Sequence, residues 1–333
     1  MRIGLIGTGR IGVLHADTLS GLPEVSAVVV TDADRDRAGQ VAARYGAELA
    51  GDVDELLAAG LDGLVIATAT GSHPELIRRG VSAGLPVFCE KPVAADVEGT
   101  LDVIKATAGA PVQIGFQRRF DPGYRAAREA VSSGELGWLH TIRSTTLDPA
   151  PPPPGYIPGS GGIFRDCAVH DFDSIRWATG REVTSAYAAG ANRGEDFFRA
   201  AGDVDTGSAV LTLDDETIAL VSCTRYNGAG YDVRLELLGS AGSVCAGLDD
   251  QTPLTSAEPA ATFPAGPPYR QFLDRFRGAY QAELAAFTDV VAGRSVSQCT
   301  PADALEAFYI AEACERSRHH QAPVELAWVR QCQ

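Results

Sequence analysis

The apolar positions of this chain change rhythm near residue 120. Before it they form short continuous blocks: MRIGLI at the start, then VSAVVV (25–30), GLVIAT (63–68), PVFCE (86–90) and PVQIGF (111–116). Blocks of that length read as buried strands of a parallel sheet. Helical patterns lie between them, one opening after the glycines at 7, 9 and 12 and others near 72–83 and 94–107. Strand and helix in alternation predict an α/β, doubly wound sheet. After a helical stretch, PGYRAAREAVSSG, the grammar changes to alternating blocks: HTIRSTTL, EVTSAYAAG, GSAVLTL, TIALVSCTRY, DVRLELLGS and GSVCAG. That alternation predicts a large, open, mostly antiparallel sheet with one covered face, within an α+β domain. Two helices follow, near 278–292 and 301–318, the second introduced by Thr300 as N-cap and Pro301 as first residue. The reading divides the chain into domains at 1–120 and 121–333.

The first strand runs into Gly7-Thr8-Gly9-Arg10-Ile11-Gly12 and a helix follows. A lone G-x-G-x-x-G is weak, but strand before and helix after is the context of a Rossmann dinucleotide fold. Gly7 permits the tight turn, Gly9 lets a pyrophosphate approach the backbone, and Gly12 lets helix and strand pack closely. The helix start at Arg10 and Ile11 offers N–H donors and a partial positive charge to phosphate. Asp32 ends the next strand, 20 residues beyond Gly12, where an acid accepts from the ribose hydroxyls and repels a 2′-phosphate. The cofactor expected is NAD, with NADP less favoured; Arg35 nearby softens the preference.

Ligands of such sheets sit beyond the carboxyl ends of the strands. That rule selects TATGSHPE, CEKP and GFQRRFD. It puts Thr68, His73, Glu90 and Lys91 on the cofactor side, although His15 and His73 read equally well as structural. Lys91 and Lys105 are the only lysines, and Lys91 precedes a proline at a strand end. A lysine there can bind a substrate oxygen and stabilise developing negative charge.

Composition removes some classes of partner. At 333 residues two domains are the natural reading. The net charge of −15, from 43 acidic and 28 basic residues, argues against nucleic acid and anionic membrane. Seven cysteines (89, 167, 223, 245, 299, 314, 332) are scattered without a C-x-x-C pair, which fits reduced thiols and a cytoplasmic location. The N-terminus does not read as a signal peptide, and no apolar run is long enough to span a bilayer. The proline-rich LDPAPPPPGYIPGSGG reads as a connector or as a lid over the site.

GGIFRDCAVHDFD (161–173) carries the remaining chemistry. Asp166 and His170 stand four apart, so one helix would put them on one face. Taken together, GTGRIG, CEKPV, GFQRRFDPGY and SGGIFRDCAVHDFD resemble the Gfo/Idh/MocA oxidoreductases over essentially the whole chain, the inositol 2-dehydrogenase branch most of all. The resemblance implies a Rossmann domain plus an α/β domain, NAD, a homotetramer, and a Lys–Asp–His catalytic set that maps onto Lys91, Asp166 and His170. It places Arg119, Tyr156 and Asp173 on the substrate side. Pro158 stands where inositol-specific members tend to carry a lysine, and Thr70 and Gly71 also depart from the usual pattern.

The expected reaction is oxidation of a secondary hydroxyl on a cyclic polyol, with His170 as general base because a histidine's ordinary pKa of about 6.5 suits proton transfer near neutrality. Asp166 would orient the imidazole or bind substrate, while Arg165 and Asp171 point elsewhere and read as ordinary helix surface. Asp166, His170 and Asp173 could chelate a metal, but hydride transfer with a lysine needs none. A pyranose sugar or amino-inositol as substrate, a non-catalytic NAD-binding regulator and an NAD-dependent glycosidase stay open.

Overall fold

The computed structural model describes residues 1–264 and 266–331, so Cys332 lies outside the described residues. The first compact unit comprises Met1–Gln117 and Gly278–Leu305, the second Arg118–Arg277 and Glu306–Gln333. A single cut after residue 120 therefore misses the return of 278–305 to the first unit. The reason is packing: Leu284, Phe287 and Val290 are buried in the same core as Ile3, Leu5, Val28, Val65 and Phe88.

In the first unit the blocks of the sequence become β1 (Arg2–Ile6), β2 (Ala27–Thr31), β3 (Glu48–Leu49), β4 (Gly63–Ile66), β5 (Val87–Glu90) and β6 (Val112–Gly115). They form one parallel sheet in the order β3-β2-β1-β4-β5-β6. The order reverses between β1 and β4, and the helix Arg10–Gly21 leaves β1 beside that switch. β4 and β6 are buried at every position, as continuous apolar runs require. The helix Arg35–Tyr45 and the short pieces β3 and Val53–Leu57 are absent from the sequence reading. Arg35–Tyr45 is strongly polar and is started by its cap, Asp34 accepting from the Arg37 N–H. Thr300 and Asp303 form the expected cap at the second C-terminal helix, each side chain bonding the other's backbone N–H, and that helix runs Pro301–His320.

The second unit holds β7 (Leu139–Leu147), β8 (Val183–Ala191), β9 (Thr206–Leu213), β10 (Ile218–Thr224), β11 (Asp232–Gly239), β12 (Ser243–Ala246) and β13 (Val324–Glu325). Their order is β12-β11-β7-β10-β9-β8-β13, antiparallel except for the pair β7 and β10. Burial alternates along β9 and β10, so Leu211, Ala219, Val221 and Cys223 face the core. The opposite face leaves Tyr187, Val210, Ile218 and Leu220 each 40–46% exposed, and Tyr187, Val210 and Leu220 line a shallow trough of about 330 Å³. Among the described residues no helix is long and apolar enough to cross a membrane.

Candidate active site

The glycine turn is built for an anion. Gly7 has φ +96°, and a Cβ there would come 2.5 Å from the Ala67 carbonyl oxygen. A Cβ on Gly12 would collide with the Gly7 carbonyl oxygen, so helix and strand meet backbone to backbone. Gly9 differs: a Cβ there meets nothing within 4 Å, and its backbone face is open. Gly9 caps the helix Arg10–Gly21 without a side-chain bond, and no acid occupies the first turn. An open helix start, whose first N–H groups have no partner within the helix, suits the pyrophosphate of a dinucleotide. Arg10 is exposed there and Ile11 partly so.

Asp32 sits at the end of β2 with its lone pairs committed. Oδ2 accepts from the Thr8 N–H (2.6 Å) and hydroxyl (2.9 Å), and Oδ1 from the Asp34 N–H (2.9 Å) and Arg37 Nη2 (2.7 Å). Burial pushes its carboxyl up, but these four donors outweigh burial and hold it below the ordinary value. The arginine beside the acid is thus Arg37, not the Arg35 of the sequence reading. Arg37 is 46% exposed, so it is the partner that can yield to ribose hydroxyls.

Thr68, beyond β4, bonds its hydroxyl to Ser72 Oγ at 2.7 Å. Glu90 closes β5, Lys91 follows, and the Lys91–Pro92 peptide is cis. His73, read from the sequence as structural or on the cofactor side, has both ring nitrogens against backbone carbonyl oxygens. It is buried, with Nδ1 2.7 Å from the Pro92 carbonyl oxygen and Nε2 3.1 Å from that of Thr68.

In the second unit the segment 161–173 is not one helix. Ile163–Asp166 is a four-residue turn of helix, and Val169–Thr179 begins after Cys167 and Ala168. Both intervening residues keep right-handed helical angles, so the chain bends without reversing. Gly161 and Gly162 have φ of +84° and +92° and form the turn ahead of it. Asp203 accepts the Ile163 N–H at 3.0 Å, and a Cβ on Gly162 would approach its Oδ1 to 3.1 Å. The pair therefore serves the turn.

Asp166 is held from two sides. The Tyr156 hydroxyl donates to Oδ1 at 2.8 Å, and Arg225 Nη2 donates to Oδ2 at 2.7 Å. Arg225 also reaches Asp148 Oδ2 at 2.8 Å, so one nearly buried guanidinium joins two carboxylates. Burial pushes the Asp148 carboxyl up, and Arg225 offsets only part of this. Sequence reasoning missed both Arg225 and Asp148. Their signal was slight: an arginine just past one strand end and an aspartate opening the proline run.

Asp173 and Arg119, both expected on the substrate side, meet each other: the two carboxylate oxygens accept from Arg119 at 2.9 and 2.6 Å, and both side chains are buried. They form an internal bidentate pair. Asp171, read as surface, is fully buried and accepts from Arg118 (3.0 Å), Ser144 (2.6 Å) and Thr146 (2.8 Å). Arg165 pairs with Glu312 at 2.5 Å. Among the described residues no cluster of His, Cys, Asp or Glu could hold a metal.

Comparison with known proteins agrees over both units. Residues 1–117 match the oxidoreductase family with an NAD-binding Rossmann fold, and 124–245 match the GFO/IDH/MocA C-terminal domain. The chain is 38% identical to the myo-inositol dehydrogenase Hyg17 of Streptomyces leeuwenhoekii, covering 95% of this chain and 97% of that one. It superposes on a myo-inositol dehydrogenase of Corynebacterium glutamicum at TM-score 0.90, with 34% identity and 98% of each chain covered. A scyllo-inositol dehydrogenase of Lactobacillus casei, solved with NAD(H) and scyllo-inositol, matches at TM-score 0.87 and 30% identity, covering 98% of this chain and 99% of that one.

Proposed function

The chain belongs to the GFO/IDH/MocA oxidoreductases, and on that premise we propose that it oxidises a secondary hydroxyl of an inositol-like cyclic polyol with NAD. The observation that carries this is near-full-length similarity to dehydrogenases of two inositol isomers in a chain that keeps Lys91, Asp166 and His170. The open Gly9 face and helix start would hold the pyrophosphate, and Asp32 the adenosine ribose. Bound there, the nicotinamide supplies the hydride acceptor.

The protein's own residues handle the proton and the charge. His170 takes the hydroxyl proton as the C–H bond is broken. Lys91 donates to the same oxygen and stabilises its alkoxide character. Asp166, its Oδ2 anchored by Arg225, orients substrate or the imidazole. Tyr156, 48% exposed and bonded to Asp166, lies on the substrate side, on the segment 154–160 that follows the proline run.

A second copy of the chain would cover the exposed face around Tyr187, Val210 and Leu220, giving a dimer, and two such pairs would make the tetramer. A cytoplasmic location agrees with the free thiols of Cys89, Cys167, Cys223, Cys245, Cys299 and Cys314.

The test is NADH formation across inositol stereoisomers, amino-inositols and aldoses. Turnover is expected with at least one inositol and is lost in Lys91→Ala, which still binds NADH. Turnover confined to aldoses would move the substrate to pyranose sugars. No polyol-dependent NADH at all would point to a regulator.

A further inference from the structure

Two buried histidines of the first unit take no part in the chemistry above. His15, on the helix Arg10–Gly21, is fully buried with Nε2 2.7 Å from Glu90 Oε1. Phe88 and Tyr280 meet its ring edge-on, at centroid distances of 5.5 and 6.1 Å. His73 sits between the carbonyl oxygens of Pro92 and Thr68, 2.7 Å from Nδ1 and 3.1 Å from Nε2, and a neutral ring with one N–H donates to one of them and packs against the other. Glu90 and Pro92 are the residues on either side of Lys91.

We infer that His15 and His73 are positioning residues for Lys91, one gripping the side chain before it and the other the carbonyl after it. The inference rests on the assignment of Lys91 to the reacting oxygen. A lysine's long flexible stem cannot aim its ammonium unless the backbone at its root is fixed. Strand pairing stops short of Lys91, at Ile66 and Cys89 on the β4 side and at Glu90 and Gly115 on the β6 side. Beyond the ladders His73, set between the Thr68 and Pro92 carbonyls, continues the contact on the β4 side. His15 ties Glu90 to the helix that starts at Gly9, so the glycine turn and the lysine turn share one fixed frame. Burying an imidazole is unfavourable unless its nitrogens are partnered, and His15 Nδ1 is buried with no hydrogen-bond partner, so this ring is held for its single bond to Glu90. Here two buried imidazoles are committed to one three-residue turn.

The chain's two lysines make the test direct, since Lys105 is 76% exposed on the helix Val97–Ala106. Protein labelled with ε-13C-lysine gives two side-chain signals, assigned with Lys105→Arg. In His15→Leu and His73→Leu the Lys91 signal is expected to move while that of Lys105 stays. The turnover number should fall about 10- to 100-fold with the KM for NAD unchanged. His15→Gln and His73→Gln keep an N–H donor and are expected to hold the Lys91 signal near its original place. A Lys91 signal unmoved in folded Leu variants, or Gln variants that displace it as far as Leu does, overturns the inference. Leu variants that lose the fold altogether assign the imidazoles to stability alone and overturn it equally. Because the signals need no substrate, a failed polyol screen would sink the functional reading and leave this comparison standing.

Discussion

The two units place their chemical groups by different means. In the first, a core of Ile, Leu, Val and Phe side chains supports a parallel sheet whose loops present Gly9, Asp32 and Lys91 at strand ends. In the second, Asp166 and His170 lie on helical segments that run on into a layer of buried charge: Asp171 with Arg118, and Asp173 with Arg119. Tyr124 is buried beside this layer, and burial pushes its phenol up to about 12. The first arrangement is made by backbone geometry, the second by side chains gripping side chains. A backbone turn tolerates change in its neighbours, whereas a buried ionic layer depends on every member being present.

That contrast can be broken most forcefully at the chemistry itself. His170→Ala and Lys91→Ala should each lower turnover by at least about 10²–10⁴-fold while NADH still binds, which fluorescence titration and initial rates would show. Equal survival of activity in both would remove the shared mechanism.

Charged pairs give the next largest difference. Asp171→Asn leaves Arg118 buried without its counter-charge and should cost about 3–5 kcal/mol in urea unfolding. Arg37→Ala removes a partner of Asp32 that is half open to water and should cost under about 1 kcal/mol. Similar losses in the two variants would mean that the second unit does not depend on its ionic layer.

Glycine substitutions sharpen the first unit. Gly12→Ala forces a methyl against the Gly7 carbonyl and should cost about 1–3 kcal/mol and abolish NADH binding. Gly9→Ala should leave the melting temperature unchanged and weaken only NADH binding, because its Cβ points into open space.

Alkali should reach both units. The Cys223 thiol is raised by its hydrogen bond with Cys167 and by burial, and burial raises Tyr124 and Tyr231 in the second unit and Cys89 in the first. A folded-state pKa above the unfolded one contributes stability that is complete below the unfolded value and is lost as pH rises past it. The unfolded values here are 9.0 for the thiols and 10.0 for the phenols. Urea midpoints should therefore hold steady up to about pH 9 and fall above it, with near-ultraviolet tyrosine signals reporting the change. The smallest effect on the chain itself is expected from Leu220→Glu, on the exposed sheet face. It should prevent the tetramer proposed to form through this face, read by sedimentation, while the melting of the single chain is little altered.

Most of the fold was legible because it follows from periodicity. Continuous apolar blocks became the parallel sheet, and alternating blocks became the second one. Gly7 and Gly12 were legible for a related reason, since each answers a constraint imposed by residues nearby in the chain or on the adjoining strand end. The partners of Asp173 and Asp171 were not legible because nothing in their spacing reveals that Arg119 and Arg118, more than 50 positions earlier, turn inward to meet them.

The sequence by itself therefore determined the two sheets, the dinucleotide turn, and the residue types brought to strand and helix ends. These depend on local propensity and on contacts of short range. Tertiary structure decided three other things: that 278–305 completes the first unit, that Arg225 joins Asp148 to Asp166, and that two buried imidazoles bracket Lys91. Each depends on side chains far apart in sequence, whose meeting is set by how packed elements cross rather than by any pattern along the chain.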